Sequence, residues 1–435
     1  MTRLQLRFSG SVTDLDPAAR RELLERATLD DEAIALTVSS IIEIVRRDGD
    51  AGLAALSREF DGVAPDPLEV PPATVQRALD RLDPALRRAL ERSIANLETV
   101  HLAQVPVAME VETAPGVLVG RRPDPLGRVG IYAPGGRSPY PSSVLMGAVP
   151  ARVAGVEEVV LCSPPESGGQ PSDAILGAAA LTGVHRVFSV GGAGAIAAMA
   201  YGTATMPRVD RIVGPGNAWV TEAKAQVSRV VGIDLLAGPS ELLVLADAEA
   251  DLRVVAREML AQAEHDPRAC VVAVIVGDGD GAERLVDTLA SMPPEGQRKR
   301  LTTDALASRG GVLAAPTLAD AIGFAAEYAP EHLLLMLRDP EPALARLRNA
   351  GTVCVGEASS VTFGDYLTGA NHVLPTGGLA RSASALSTEQ FFRWTGFQRV
   401  SREGAASLAA DAERLASAES LPAHARAAAA WGAGA

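Results

Sequence analysis

The chain has 435 residues, 47% of them hydrophobic and 21% charged, with a formal net charge of −13. That length and balance describe a globular protein of two or more domains, with cores large enough to need no disulfides. The acidic excess, with no basic run longer than Arg298-Lys299-Arg300, argues against nucleic acid or an anionic membrane as the main partner.

Cys162, Cys270 and Cys354 stand far apart without a CxxC pair and read as reduced, buried thiols. The start, Met1-Thr2-Arg3-Leu4, has no long apolar stretch and no run reaches membrane-spanning length, so the expectation is a cytoplasmic enzyme. Residues 15 to 105 read as helices, at 19–27, 31–48, 50–60 and around 75–102. The proline-rich stretch Ala64-Pro65-Asp66-Pro67 through Pro71-Pro72 makes a turn among them. His101 reads as a helix-surface residue.

From Arg128 strands and helices alternate. Strands are expected at 129–132, 158–162, 186–190 and 211–213, with helices at 142–154, 174–181, 195–201 and 218–230. The first strand runs into the turn Ala133-Pro134-Gly135-Gly136. A second series holds strands at 242–245, 271–276, 311–313, 333–337 and 352–355, with helices from Asp251 and at 282–289, 318–327 and 343–349. Such alternation means mainly parallel sheets, right-handed crossovers and ligand sites at the carboxyl ends of strands. The expected architecture is α/β, with two Rossmann-like doubly wound halves and small helical segments at each terminus. From about Gly377 the chain reads as helical and alanine-rich, with a low-complexity tail at 425–435 expected to fray.

Polar turns punctuate this frame. Gly192-Ala193-Gly194-Ala195-Ile196-Ala197 follows a strand and opens a helix in the GxGxxA pattern, with Asp210 near the spacing of a ribose-binding acid. Asp210 begins a strand, whereas a ribose-binding acid ends one, and close strand–helix packing needs small residues anyway, so the motif carries little weight. Gly214-Pro215-Gly216-Asn217, with Asn217 at a helix N-cap, and Gly238-Pro239-Ser240-Glu241 are further turns. Capping explains each singly; together they resemble a floor for a dinucleotide or polar substrate.

Gln262 and His265, three apart on the helix end stopped by Pro267, share a face and can fill two positions on a divalent metal. An ordinary polar helix end is the other reading. Ala329-Pro330-Glu331-His332 sets an acid beside an imidazole just before an apolar strand. A turn there can aim both into a cleft, where they suit proton transfer near neutral pH; a solvated loop pair is the alternative. Gly364-Asp365-Tyr366 and Asn371-His372-Val373 add an acid and a histidine in a loop, and Glu419 and His424 flank Leu421-Pro422.

The runs Gly-Pro-Gly-Asn at 214–217, Ala-Gly-Pro-Ser-Glu at 237–241, Gln-Ala-Glu-His at 262–265, Ala-Pro-Glu-His-Leu at 329–333 and Asn-His-Val-Leu-Pro-Thr at 371–376 resemble the histidinol dehydrogenase family. They occur in the family's order, from about Val129 to His424. The resemblance implies oxidation of L-histidinol to L-histidine in two NAD-dependent steps through a bound aldehyde, by a zinc-containing homodimer with swapped elements. It implies Gln262, His265, Asp365 and His424 as zinc ligands, His332 as the base for the alcohol, and Glu331 as the activator of water for the aldehyde. Ser240, His372 and Glu419 join the ligands and His332 around the substrate, Tyr132, Gly194 and Asn217 lie at NAD, and Glu419 and His424 come from the partner subunit. It divides the chain into a helical arm (1–25), a metal and catalytic domain (26–128 with 240–376), an NAD-side domain (129–239) and a helical dimerisation segment (377–435). Two departures stand out. Gly194 replaces a glutamine that would contact the cofactor, and the run Ala358-Ser359-Ser360-Val361-Thr362-Phe363 replaces a proline-containing one. These leave open a relative that oxidises another polar or amino alcohol, or one that binds without turnover.

Overall fold

The computed structural model describes residues 5–26, 31–135, 138–277, 279–294 and 296–432. Ala27 of the first expected helix, Gly136 of the first turn and residues 433–435 of the tail lie outside them. The chain opens with β1 (Phe8–Ser11) and α1 (Pro17–Leu24), capped by the Asp16 carboxylate. α2 (Glu32–Phe60) joins two expected helices across a bend at Gly49, where φ is 55° and ψ −129°, a backbone that glycine takes without a Cβ clash. Pro72 starts α3 (Pro72–Arg81), and Asp83-Pro84 caps and starts α4 (Pro84–Leu102). β2 (Met109–Ala114) and β3 (Val117–Pro125) follow as a hairpin. Most of β2 is exposed on both faces, so it lacks the in–out alternation by which a strand is read from sequence.

The first βα series is β4 (Arg128–Tyr132), α5 (Pro141–Ala154), β5 (Glu158–Ser163), α6 (Asp173–Thr182), β6 (Arg186–Ser189), α7 (Gly192–Tyr201), β7 (Arg211–Val213), α8 (Ala218–Val227) and β8 (Gly232–Ile233). Its strands form a parallel sheet in the order β6-β5-β4-β7-β8, reversing between β4 and β7. The second series is β9 (Glu241–Ala246), α9 (Leu252–Ala263), β10 (Cys270–Val276), α10 (Asp280–Ser291), α11 (Lys299–Arg309), β11 (Gly310–Ala315), α12 (Leu318–Tyr328), β12 (His332–Met336), α13 (Glu341–Arg346) and β13 (Thr352–Val355). These strands lie parallel in the order β1-β11-β10-β9-β12-β13, reversing between β9 and β12. The N-terminal segment, expected to be a helical arm, therefore supplies an edge strand, held by buried Phe8.

α14 (Val361–Tyr366), β14 (Phe392–Val400), α15 (Arg402–Ala418) and α16 (Pro422–Ala429) complete the chain. β14 pairs antiparallel with β3, so the C-terminal segment, expected to be helical throughout, contains a strand. The expected fraying gives way to α16, which buries Ala425 against α15.

Packing decides what periodicity cannot. Val38, Ile42 and Leu53 of α2 bury with Val160 and Phe188 on one face of the β4–β8 sheet. Ala78, Leu90 and Leu97 of α3 and α4 bury with Ile131 and Leu161 on the other. The expected division grouped these helices with 240–376; they instead cover the neighbouring sheet. An apolar helix face demands a partner without naming it. Cys162 and Cys270 are buried and Cys354 half-buried, all free. Among the described residues no helix is long and apolar enough to cross a membrane.

Candidate active site

In a βα unit the helix leaves the carboxyl edge of the sheet and returns to its amino edge. α9 therefore brings Gln262, in its last turn, and His265, just past it, to the edge where Glu241 enters β9 and His332 enters β12. Ligand sites expected at carboxyl ends fit the β4–β8 sheet, but these residues gather at the amino edge of the other. The connector 234–240 joins the carboxyl end of β8 to the amino end of β9, which sets the two edges across one cleft. Arg298, just before α11, spans it, donating to the Glu264 carbonyl at 2.9 Å and to Ser138 Oγ at 2.9 Å.

Ala329 ends α12 at φ 51°, and Pro330 follows. This turn swings the two neighbours together, with Glu331 Oε2 3.4 Å from His332 Nδ1. Nδ1 lies 3.0 Å from the Glu241 carbonyl oxygen. A carbonyl only accepts, so Nδ1 donates and the neutral ring carries its lone pair on Nε2. Nε2 is buried without a hydrogen-bond partner, 3.4 Å from Asp365 Oδ1 on α14. His372 Nδ1 donates to the Asp365 carbonyl at 2.8 Å. Next to it, Asn371 Nδ2 donates to the Met146 carbonyl at 2.8 Å and sits 3.4 Å from His101 Nε2. His101, expected on a helix surface, is 1% exposed and anchors this loop, because α4 is covered on that side.

Burial pushes the Glu331 carboxyl up, with His332 partly opposing it. Burial disfavours charge on His332, yet Glu331 and Asp365 outweigh it and hold the ring well above the usual histidine range. Burial lowers His265 and His372, keeping both neutral. It works against the Asp365 carboxylate, but the adjacent His332 ring holds it below the usual range. Neutral imidazole and ionised carboxylate are the forms a divalent cation takes. The Gln262 side-chain nitrogen is buried without a hydrogen-bond partner, and the oxygen of that amide is the atom a cation would take. The donor types fit zinc, although among the described residues no three His, Cys, Asp or Glu side chains already converge on a metal position. Glu419 and His424 are exposed at the junction of α15 and α16, and no hydrogen bond or ion pair links them to this cluster within one chain.

Two contributors carried no assigned role in the sequence. Glu241 is a second buried acid beside Glu331, and Glu258 Oε2 accepts the Val361 amide at 3.1 Å, fixing the start of α14. Glu258 lies four residues before Gln262, so helical spacing alone could have flagged it.

Across the cleft, Tyr132 ends β4 and the 214–217 turn follows β7, at the reversal of strand order where doubly wound sheets hold ligands. A Cβ on Gly214 would stand 2.1 Å from the Tyr132 carbonyl, and φ there is 112°, so the turn requires glycine. Lys224 Nζ donates to the Gly214 carbonyl at 2.5 Å and Asp234 accepts the Gly214 amide at 2.7 Å. Tyr132 Oη accepts the Gly192 amide at 3.1 Å, and burial pushes the phenol up to about 12. Asn217 caps α8 through the Val220 amide at 3.2 Å. Asp210 accepts the Arg128 amide at the amino edge, far from any ribose position at the carboxyl end. Gly194 lies in the first turn of α7, but a Cβ there would meet Leu53 and Leu56 of α2 at 3.4 and 3.5 Å. A side chain at 194 sets out toward a packed helix, and the group left for a cofactor is the backbone amide.

A cavity of about 440 Å³ opens beside His265, lined by Ser138, Tyr140, Arg298 and Tyr366. A larger one, about 550 Å³, lies past β10 among Asp280, Glu283, Arg284 and Asp287 and holds no histidine. The smaller cavity borders the buried cluster through His265, which makes it the better active-site candidate.

Similarity to known proteins extends over nearly the whole chain. The family model described as histidinol dehydrogenase matches residues 24–430. A histidinol dehydrogenase of Natronomonas pharaonis is 46% identical over 417 residues, covering 96% of this chain and 97% of its own. That of Methanothermobacter thermautotrophicus is 42% identical over 414 residues, covering 95% and 97%. The crystal structure of histidinol dehydrogenase from Elizabethkingia anophelis superposes with a TM-score of 0.91 at 32% identity, covering 98% of this chain and 97% of that one.

Proposed function

The chain belongs to the histidinol dehydrogenase family, oxidoreductases of histidine biosynthesis, and from that premise we propose how its residues divide the oxidation of L-histidinol to L-histidine. The carrying observation is the orientation of His332. With Nδ1 pinned to the Glu241 carbonyl, the ring that has given up its extra proton carries its lone pair on the buried Nε2, beside Asp365. Nε2 takes the hydroxyl proton of the alcohol as its carbon gives up a hydride. Glu331 then takes a proton from water as that water adds to the aldehyde, and the hydrate loses a second hydride to leave the carboxylate. The raised carboxyl of Glu331 makes it a stronger base than an exposed glutamate once ionised.

Gln262, His265 and Asp365 would hold zinc, which when bound supplies a fixed positive charge that orients the substrate's amine and imidazole. Tyr132, the Gly214–Asn217 turn and the first amides of α7, Gly194 among them, would hold NAD, which supplies the hydride acceptor. Ser240 and His372 border the substrate. His424, the fourth ligand, and Glu419 sit exposed at the α15–α16 junction, so they enter from a second subunit and the working unit is a homodimer. Leu408, Leu415, Leu421 and Trp431 are exposed on the same hairpin and give such a subunit an apolar face to cover. The experiment is a panel of polar and amino alcohols with zinc-loaded protein, followed by NADH absorbance. Histidinol as the fastest substrate supports the reading, and another alcohol outrunning it overturns it.

A further inference from the structure

We infer that Arg26 and Glu241 form a positioning pair that holds Glu331 in place for the aldehyde step, an inference that rests on the role given to Glu331 above. Both are buried, at 4% and 1% exposure. A pair of opposite charges this deep is held by geometry more than by net Coulomb gain, and here the geometry converges on one turn.

The Arg26 guanidinium forks onto the Glu241 carboxylate, Nε to Oε1 at 2.8 Å and Nη2 to Oε2 at 3.0 Å. Nη2 also donates to the Tyr328 carbonyl at 2.8 Å, and the guanidinium carbon lies over the Tyr328 ring, 3.6 Å from its centre. Glu241 Oε2 in turn accepts the Glu331 amide at 3.3 Å, and the Glu241 amide donates to Glu331 Oε2 at 2.6 Å. The two residues therefore grip both sides of the Ala329-Pro330 turn, Tyr328 before it and Glu331 after it. Ala329 at φ 51° is a left-handed alanine, which relaxes unless neighbours hold it. Oε1 also accepts the Gly377 amide at 2.8 Å, joining the end of the His372 loop to the same anchor.

The division of labour within residue 241 is specific. Its carboxylate and amide hold Glu331, whereas its carbonyl holds His332. Changing the side chain removes the hold on the Glu331 amide and loosens the turn there, while the main-chain contacts to the Glu331 carboxylate and the His332 ring remain. The consequence is asymmetric: the step that uses Glu331 suffers more than the step that uses His332.

The test feeds alcohol and aldehyde separately to Arg26→Lys and Glu241→Gln proteins, with thermal unfolding and zinc content measured alongside. Lysine keeps the charge, and with it the buried balance, but cannot fork onto a carboxylate. Arg26→Lys is therefore the deciding variant should Glu241→Gln fold poorly. The aldehyde kcat is expected to fall about tenfold or more in each, the loss expected when a reacting group is misplaced by a fraction of an ångström. KM for the aldehyde and for NAD should hold within about twofold, and the alcohol step should lose less than about threefold. Equal losses in both steps, a loss carried by KM, or an unchanged aldehyde kcat in folded Arg26→Lys overturns the inference. A wild-type protein that fails to oxidise the aldehyde overturns the role of Glu331 instead, which keeps the two failures apart.

Discussion

Replacing Gly194 with alanine separates packing from cofactor binding at a position the resemblance marks as a departure. The added Cβ would lie 3.4 Å from Leu53 and 3.5 Å from Leu56, ordinary contact distances that require nothing to move. Glycine in a helix costs roughly 0.5–1 kcal/mol relative to alanine. Burying one more methyl in this interior contributes up to about 0.8 kcal/mol. The sum is a stabilisation of about 1–2 kcal/mol, or about 2–4 °C in Tm for each kcal/mol in a unit of some 200 residues. Calorimetry gives the Tm, and hydrogen exchange at α2 and α7 shows whether the gain is local. NAD should bind as before, because the Gly194 amide is unchanged. A lowered Tm would mean that the α2–α7 contact is already full. A glutamine is the discriminating case, since its amide must clear both leucines to reach a cofactor. If Gly194→Gln lowered the KM for NAD up to roughly tenfold, the value of one recovered hydrogen bond, then a side chain at 194 would reach the cofactor and the packing view would be wrong.

Zinc content should be about one per subunit, and His265→Asn should lose metal and activity together; full metal by atomic absorption in that variant would remove His265 from the ligand set. His332→Asn should slow alcohol oxidation by on the order of a hundredfold, as for loss of a general base, while Glu331→Gln chiefly slows the aldehyde step; equal damage to both steps by both variants would undo the assignment. Glu331→Gln also removes a negative neighbour that raises His332, so the ring becomes neutral at lower pH and the rising limb of the alcohol pH–rate profile should shift to lower pH, with an unmoved or alkaline-shifted limb contradicting the coupling. Mixing His332→Asn chains with His424→Ala chains should restore up to about half of wild-type activity per mixed dimer, because one site then carries both lesions and the other neither; a verified heterodimer without activity would place His424 in its own subunit's site.

Much of this protein was legible in one dimension. Alternating apolar strands and amphipathic helices from 128 to 355 specify two parallel sheets, because burial on both faces leaves a continuous apolar signature. Short polar motifs pointed to the proposed chemistry, since Gln262 with His265 and Glu331 with His332 are local pairs whose geometry follows from a helix end and a turn. Elements without a buried stripe escaped notice. β1 is short, β2 is exposed on both faces, and β14 is mostly exposed and lies beside helices, so strand pairing defines them, β2 with the adjacent β3, and β1 and β14 with the distant β11 and β3. Which sheet α2–α4 cover was also invisible, because an apolar face fits any apolar surface and only the shape of the β4–β8 sheet selects them. The cluster itself belongs to the tertiary structure: α9 must run back to the amino edge before Gln262 and His265 can approach Asp365. Arg26 and Glu241, 215 residues apart, meet only once the N-terminal segment has docked. Sequence determines which side chains are available and how neighbours within a few residues are aimed; long-range packing decides which of them share a site, because contact there depends on the closure of loops whose ends no local pattern encodes.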